Sequence, residues 1–214
     1  MPFSYACFIS YRHSSPLEVR FAERLHRALD TELPARIPLK AYRDDRGLRS
    51  GDFIDPAIGR ALYESVCLVL VYTRQYFDLE KTYCAREYYA MQQLENERLR
   101  HLSGSNGPHG LIIPIILNSE ECVPAVVRQR KYYDFHKYGL WRREIFNDSV
   151  YGPIIREIAK DVANRYDEFK RCGVDVCSDA PAYELPDENA VRPWLIQIIE
   201  AGIRPQLPLR TGGQ

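Results

Sequence analysis

The sequence predicts an α/β fold built on a parallel sheet, and three observations carry that expectation. Short apolar runs rich in β-branched and aromatic residues recur along the chain: YACFISY, LKAY, SVCLVLVY, LIIPIIL and YYDF. Helical patterns or loops separate them, the alternation of an α/β architecture. The two runs around Val69 and Ile113 are apolar at successive rather than alternate positions, as central parallel strands covered on both faces require. A chain of 214 residues with 45% hydrophobic residues is enough for one well-cored domain plus an extension.

The helices follow in order. Ser15-Pro16-Leu17-Glu18 combines a capping serine, a proline at the first helical position and the reciprocal glutamate, so a helix starts there. Phe21, Leu25, Ala28 and Leu29 form its buried stripe. Asp55-Pro56 marks a second start, with Ile58 and Leu62 pointing inward. A third helix is predicted from about Tyr83 to Arg100, and a last from about Gly152 to Arg171 with Ile154, Ile155, Ile158, Val162, Tyr166 and Phe169 on one side. HLSGSNGPHG, between the third helix and the fourth strand, has no periodicity and reads as a surface connection. After Gly173 the composition changes, with prolines at 181, 186, 193, 205 and 208 around one helical stretch, Trp194 to Ala201. The chain is therefore divided into a domain over 1–172 and a Pro-rich extension with one short helix over 173–214. Trp194, Leu195, Ile198 and Ile199 are too few for a core of their own, so they pack back on the domain or meet a partner.

Composition removes several function classes. Lys+Arg and Asp+Glu are equal at 29 each, which gives no bulk attraction to nucleic acid or an anionic membrane. No apolar run approaches a membrane span and the amino terminus lacks the regions of a signal peptide, so a cytoplasmic protein is expected. None of the six cysteines forms a CxxC pair and the five histidines share no ligand-like spacing with them, so reduced thiols and no metal are expected. Neither a P-loop nor a dinucleotide-type glycine loop occurs.

Three segments, in order, resemble the boxes of the Toll/interleukin-1 receptor (TIR) domain family. CFISYRH is similar to the first-strand box. AYRDDRGLRSGDFIDPAI is similar to the second strand with its BB loop, including Asp44-Asp45 and a Leu-x-x-Gly at Leu48 to Gly51. TYCAREYYAM is similar to the aromatic-Cys-x-x-Glu pattern opening the third helix of plant and bacterial members. The resemblance runs from Phe3 to about Arg171. It implies a flavodoxin-like three-layer fold, with a five-stranded parallel sheet and helices on both faces, and ligand binding outside the carboxyl ends of the strands. A phospho-receiver shares that class, but its phosphoacceptor aspartate should end the third strand, where this chain has Val71-Tyr72-Thr73.

The resemblance also implies an activity, cleavage of the nicotinamide–ribose bond of NAD, with NAD as substrate and no cofactor. Glu87 matches the catalytic glutamate of enzymatic members, and Tyr83, one turn earlier, faces the same side and offers an aromatic surface. Nicotinamide leaves a pyridinium cation as a neutral molecule, so no second acid has to protonate it. One carboxylate that stabilises oxocarbenium-like charge suffices, whereas glycosidases expelling an alkoxide use a pair. By position, Arg12 and His13 resemble the pair that approaches the dinucleotide. Arg49 stands in the BB loop where relatives often carry an acid, and a cation there suits the pyrophosphate. The product is ADP-ribose or, as in an ADP-ribosyl cyclase, a cyclised or transferred nucleotide. The family further implies self-association through the BB loop and a separate trigger or downstream effector, as in a two-gene Thoeris-type anti-phage locus. The rival expectation is a TIR scaffold or adaptor without turnover.

Overall fold

The computed structural model describes residues 3–44, 54–102, 110–136, 151–173 and 183–203. The elements run β1 (Tyr5–Tyr11), α1 (Pro16–Glu32), β2 (Lys40–Arg43), α2 (Ile54–Tyr63), β3 (Ser65–Tyr72), α3 (Tyr83–His101), β4 (Ile112–Ile116), a 3-10 turn (Glu120–Cys122), α4 (Ala125–Arg128), β5 (Tyr133–Asp134), α5 (Tyr151–Cys172) and α6 (Glu188–Ile203). Every apolar run expected to be a strand is one. They form one parallel sheet in the order β2-β1-β3-β4-β5, the flavodoxin-like arrangement.

That order fixes where the helices lie. A strand–helix–strand crossover is right-handed, so reversing the direction of travel across the sheet moves the helix to the other face. The chain steps one way from β1 to β2 and the other way from β2 to β3 onward. Helix α1 therefore lies on one face, joined there by α5, while α2, α3 and α4 lie on the other, with α6 outermost against α3 and α4. Doubly covered, β3 is buried at all eight positions and β4 at all five. Pro114 sits inside β4, where a missing N–H normally breaks a ladder. Leu117 N–H donates to Tyr72 on the β3 side, and Ile116 C=O accepts from Phe135 on the β5 side. By alternation Pro114 faces the β5 side, and β5 pairs only from Ile115 onward.

Helix α1 begins as its sequence dictates, with Ser15 Oγ accepting from Glu18 N–H at 3.3 Å and Pro16 at the first helical position. The reciprocal half of the capping box is absent, because the Glu18 carboxylate takes the Ser14 hydroxyl instead. Helix α2 starts at Ile54, one residue ahead of the expected Asp55 cap. Gly173, with φ at 63°, ends α5 in the left-handed conformation glycine adopts freely. The last helix is longer than Trp194 to Ala201. Asp187 Oδ1 accepts from Asn189 N–H at 2.8 Å and starts the helix at Glu188, ahead of Pro193, which interrupts only one backbone bond.

The amino edge of the sheet is tied by charged side chains that bond to one another or to backbone groups. Glu95 on α3 receives both Arg130 guanidinium nitrogens, at 2.7 and 2.6 Å, and the N–H of Leu111 just before β4. Arg98 donates to the carbonyls of Ser65 and Tyr63 beside β3, and Arg165 of α5 to Gly110 C=O at 2.6 Å. Removing Glu95 leaves Arg130 and the Leu111 N–H without their shared acceptor. Glu95→Ala is expected to lower unfolding free energy by about 3 kcal/mol in chemical denaturation. Because Glu95 lies at the edge away from the strands' carboxyl ends, the folded variant should keep its ligand affinity.

Candidate active site

Strand β1 ends at Tyr11 with Arg12-His13 following at the carboxyl edge, and α3 begins beside it, so the first turns of α3 face the strand end. Between them lies a cavity of about 520 Å³, bounded also by Asp44 after β2, Ile58 of α2 and Glu188 of α6. Its size falls within the roughly 300–1,000 Å³ of small-molecule sites. Tyr83, Arg86 and Glu87 line it from α3, and Arg12 and His13 from the segment just after β1. Four of the five residues singled out in the sequence thus share one cavity. Arg49 lies outside the described residues.

Glu87 is 8% exposed, and among the described residues its hydrogen-bond partner is a hydroxyl: Ser10 Oγ donates to its Oε2 at 2.5 Å. Ser10 is itself fully buried, and its oxygen is 2.5 Å from the hydroxyl of the equally buried Tyr76. Since the one Ser10 proton goes to Glu87, the Tyr76 hydroxyl donates to Ser10. Burial pushes the phenol well above its usual range and keeps that proton in place. Burial likewise pushes the Glu87 carboxyl up to about 8, against the Ser10 hydrogen bond and nearby Arg86, which favour the charge, while Asp44 adds to the rise.

Sequence reading did not single out Ser10 or Tyr76. The available signal was a serine inside an otherwise apolar and aromatic strand, next to its carboxyl end, a position where a buried hydroxyl needs a partner. It also did not single out Arg86, whose guanidinium lies 5.1 Å from the Tyr83 ring centroid and whose Nε donates to Pro186 C=O at 2.7 Å. Tyr83 is 38% exposed at the cavity mouth.

Arg12 is buried, whereas His13 is exposed. Arg12 is 7% exposed, and its terminal nitrogens reach Lys81 C=O and Asp78 Oδ2, both at 3.0 Å, which ties the loop before α3 to the end of β1. Its Nε is buried without a hydrogen-bond partner. His13 stacks on Tyr11 with ring centroids 4.3 Å apart. Desolvation lowers its pKa from the ordinary 6.5, with Arg43 and Arg12 acting the same way and Asp44 opposing, so the ring is neutral at pH 7. Cys84 donates its thiol to Tyr11 C=O at 3.4 Å, and burial raises its pKa well above the ordinary thiol value, which excludes it as a thiolate nucleophile. No three His, Cys, Asp or Glu side chains among the described residues converge as metal ligands.

A carboxyl whose pKa rises on folding binds a proton that the unfolded chain has lost. Stability from this group is complete below pH 4.5, is lost as pH rises toward about 8, and is flat above. Wild type should therefore lose a few kcal/mol relative to Glu87→Gln between pH 5 and pH 8.5, read as the change with pH in the difference between their denaturation midpoints. A pH-independent difference would mean that Glu87 titrates normally.

No curated protein matches the chain. Among solved structures it is similar to the TIR domains in the structure of the activated Roq1 resistosome directly recognizing the pathogen effector XopQ, at 20% identity over 75% of this chain and 84% of that chain, with a TM-score of 0.38. No helix among the described residues is long and apolar enough to cross a membrane. A family model described as the TIR domain matches residues 7–145, which hold β1 from Cys7 onward, the other four strands, the first four helices and every cavity-lining residue except Glu188, and the chain belongs to the TIR domain family.

Proposed function

We propose that this TIR domain cleaves the nicotinamide–ribose bond of NAD, with Glu87 as the catalytic carboxylate. One observation carries the reading: a glutamate buried beside a cavity at the strand ends, held by a hydroxyl and titrating near 8, where a structural role would favour a satisfied ion pair. A rigid scaffold has no use for a carboxyl that is costly to ionise. A substrate that brings its own positive charge does.

Before substrate binds, burial holds Glu87 largely protonated at neutral pH. Entry of the pyridinium brings a positive charge close to Glu87, favouring the ionised form, and the proton leaves to solvent. The carboxylate then faces the ribose as the C1′–N bond breaks. The bonding electron pair departs with nicotinamide and neutralises the pyridinium, and positive charge moves onto the ribose, where the buried Glu87 carboxylate stabilises it. Ser10 and Tyr76 keep the carboxylate oriented without neutralising it. Attack by water on the oxocarbenium carbon gives ADP-ribose and a proton, and attack by a nucleophile of the substrate itself gives a cyclic nucleotide. Neutral His13 is suited to a hydroxyl or phosphate oxygen, and Tyr83 to stacking on a ring. Arg49 is placed at the site by its BB-loop position, and its positive charge suits the pyrophosphate.

In this reading the nucleotide product serves as a signal in a cytoplasmic defence of the Thoeris type, with self-association through the BB loop and a separate trigger or effector protein. These roles rest on family membership.

The test is nicotinamide release from NAD by concentrated full-length protein, followed by mass spectrometry of the products. Wild type should release nicotinamide, and Glu87→Gln should lose at least ~100-fold in rate, the scale of removing a transition-state electrostatic contact. Undiminished cleavage by the variant would overturn the assignment. Because ionised Glu87 must meet the cation, kcat/KM should rise about tenfold per pH unit below about 8 and level off above it. A profile flat from pH 6 to 9 would contradict the mechanism.

A further inference from the structure

The segment 183–203 lies beyond the residues that the family model matches, yet it forms part of the cavity. It crosses α2 at backbone contact: a Cβ on Gly59 would fall 2.4 Å from Tyr183 O and 3.0 Å from Leu185 N. Tyr183 packs its ring 5.0 Å from that of Tyr63 at the end of α2. The chain then reaches Pro186, whose carbonyl receives Arg86 Nε, and Glu188, the first residue of α6, which lines the cavity. Helix α6 is anchored by Trp194, which stacks on Tyr88 at 5.8 Å and meets Phe77 and Tyr89 edge-on, with Val191 and Leu195 fully buried. The arm is thus packed from both ends around its contact with Arg86.

From this arrangement we infer that residues 183–203 are a working wall of the substrate site, and that Arg86 is a positioning residue through which the arm sets Tyr83. The guanidinium covers one part of the Tyr83 ring at 5.1 Å, and Pro186 C=O fixes the direction in which the guanidinium plane points. Tyr83 is the exposed aromatic at the cavity mouth, so its pose governs how a flat ring is held there. Lysine in place of Arg86 keeps the charge near Glu87. It loses the planar group and the Nε donor. The arm therefore acts on capture of the substrate, and Glu87 on bond cleavage. The identity of that substrate rests on the NAD-cleaving reading above.

The experiment uses the full chain with NAD, in a Trp141→Phe background so that emission reports Trp194 alone. Wild type is compared with Gly59→Val, which forces the arm off α2, and with Arg86→Lys. Nicotinamide release gives kcat and KM, and calorimetry gives NAD binding. Gly59→Val should shift Trp194 emission to the red, and both variants should raise KM or weaken binding about five- to tenfold, the scale of a lost cation–π or stacking contact, with kcat within about twofold. Should Gly59→Val fail to fold or leave the emission unchanged, Arg86→Lys alone decides. If wild type cleaves NAD and a folded, arm-displaced Gly59→Val or Arg86→Lys keeps the wild-type KM, the inference falls and the enzymatic reading stands. If wild type binds NAD without cleaving it and the variants bind more weakly, the enzymatic reading falls and the arm's role stands. Absence of both binding and cleavage in wild type overturns both.

Discussion

Burying a carboxyl beside a hydroxyl, with no cation among the described residues bonded to it, sets the character of the whole carboxyl edge. Glu87 sits one turn into α3, against the end of β1, and the strand order puts that helix start there: β1 lies between β2 and β3, so the turn after it opens into the space that α2 and α3 leave at the strand ends. Ser10 is reachable because alternation along β1 turns its hydroxyl toward α3, and Tyr76 completes the line from the loop after β3. Two hydroxyls orient the carboxyl without cancelling its charge, which leaves the site ready for a positively charged substrate.

The two ends of the sheet divide the work. At the amino edge Glu95, Arg98, Arg130 and Arg165 are bound to each other or to strand-start carbonyls and amides, so charge there ties helices to strands. At the carboxyl edge the cations serve the walls of the cavity. Arg12 ties down the loop leading into α3 and Arg86 links Tyr83 to the C-terminal arm, while Glu87 keeps a hydroxyl partner. A fold stabilised firmly at one end tolerates an unfavourable group at the other.

Much of the fold could be read from the sequence because its signals are local. Continuous apolar runs marked β3 and β4, Ser15-Pro16 marked the start of α1, and helical periodicity placed α3 and α5 within a residue or two. Glu87, Tyr83, Arg12 and His13 were legible through the family boxes, and the structure brings them around one cavity. The Ser10–Tyr76 pair was not, because its partners are 66 residues apart and a serine in a strand carries no sign of what it faces. Nor was the arm's role: Pro193 reads as a helix breaker, which hid the Asp187 cap ahead of it, and the bond from Arg86 to Pro186 spans 100 residues. Long-range polar contacts depend on tertiary placement, which periodicity does not encode.

The claim underlying this account is that the free protein stores Glu87 as a neutral acid. Selective carbon-13 labelling of glutamate side chains, with Glu87→Gln to assign the resonance, allows its carboxyl to be titrated directly by NMR in the absence of ligand. The expected result is a midpoint near 8, displaced downward when a pyridinium-bearing ligand such as NAD is added to an arrested variant. A midpoint near the ordinary 4.5 in the free protein, unmoved by the ligand, would contradict the account.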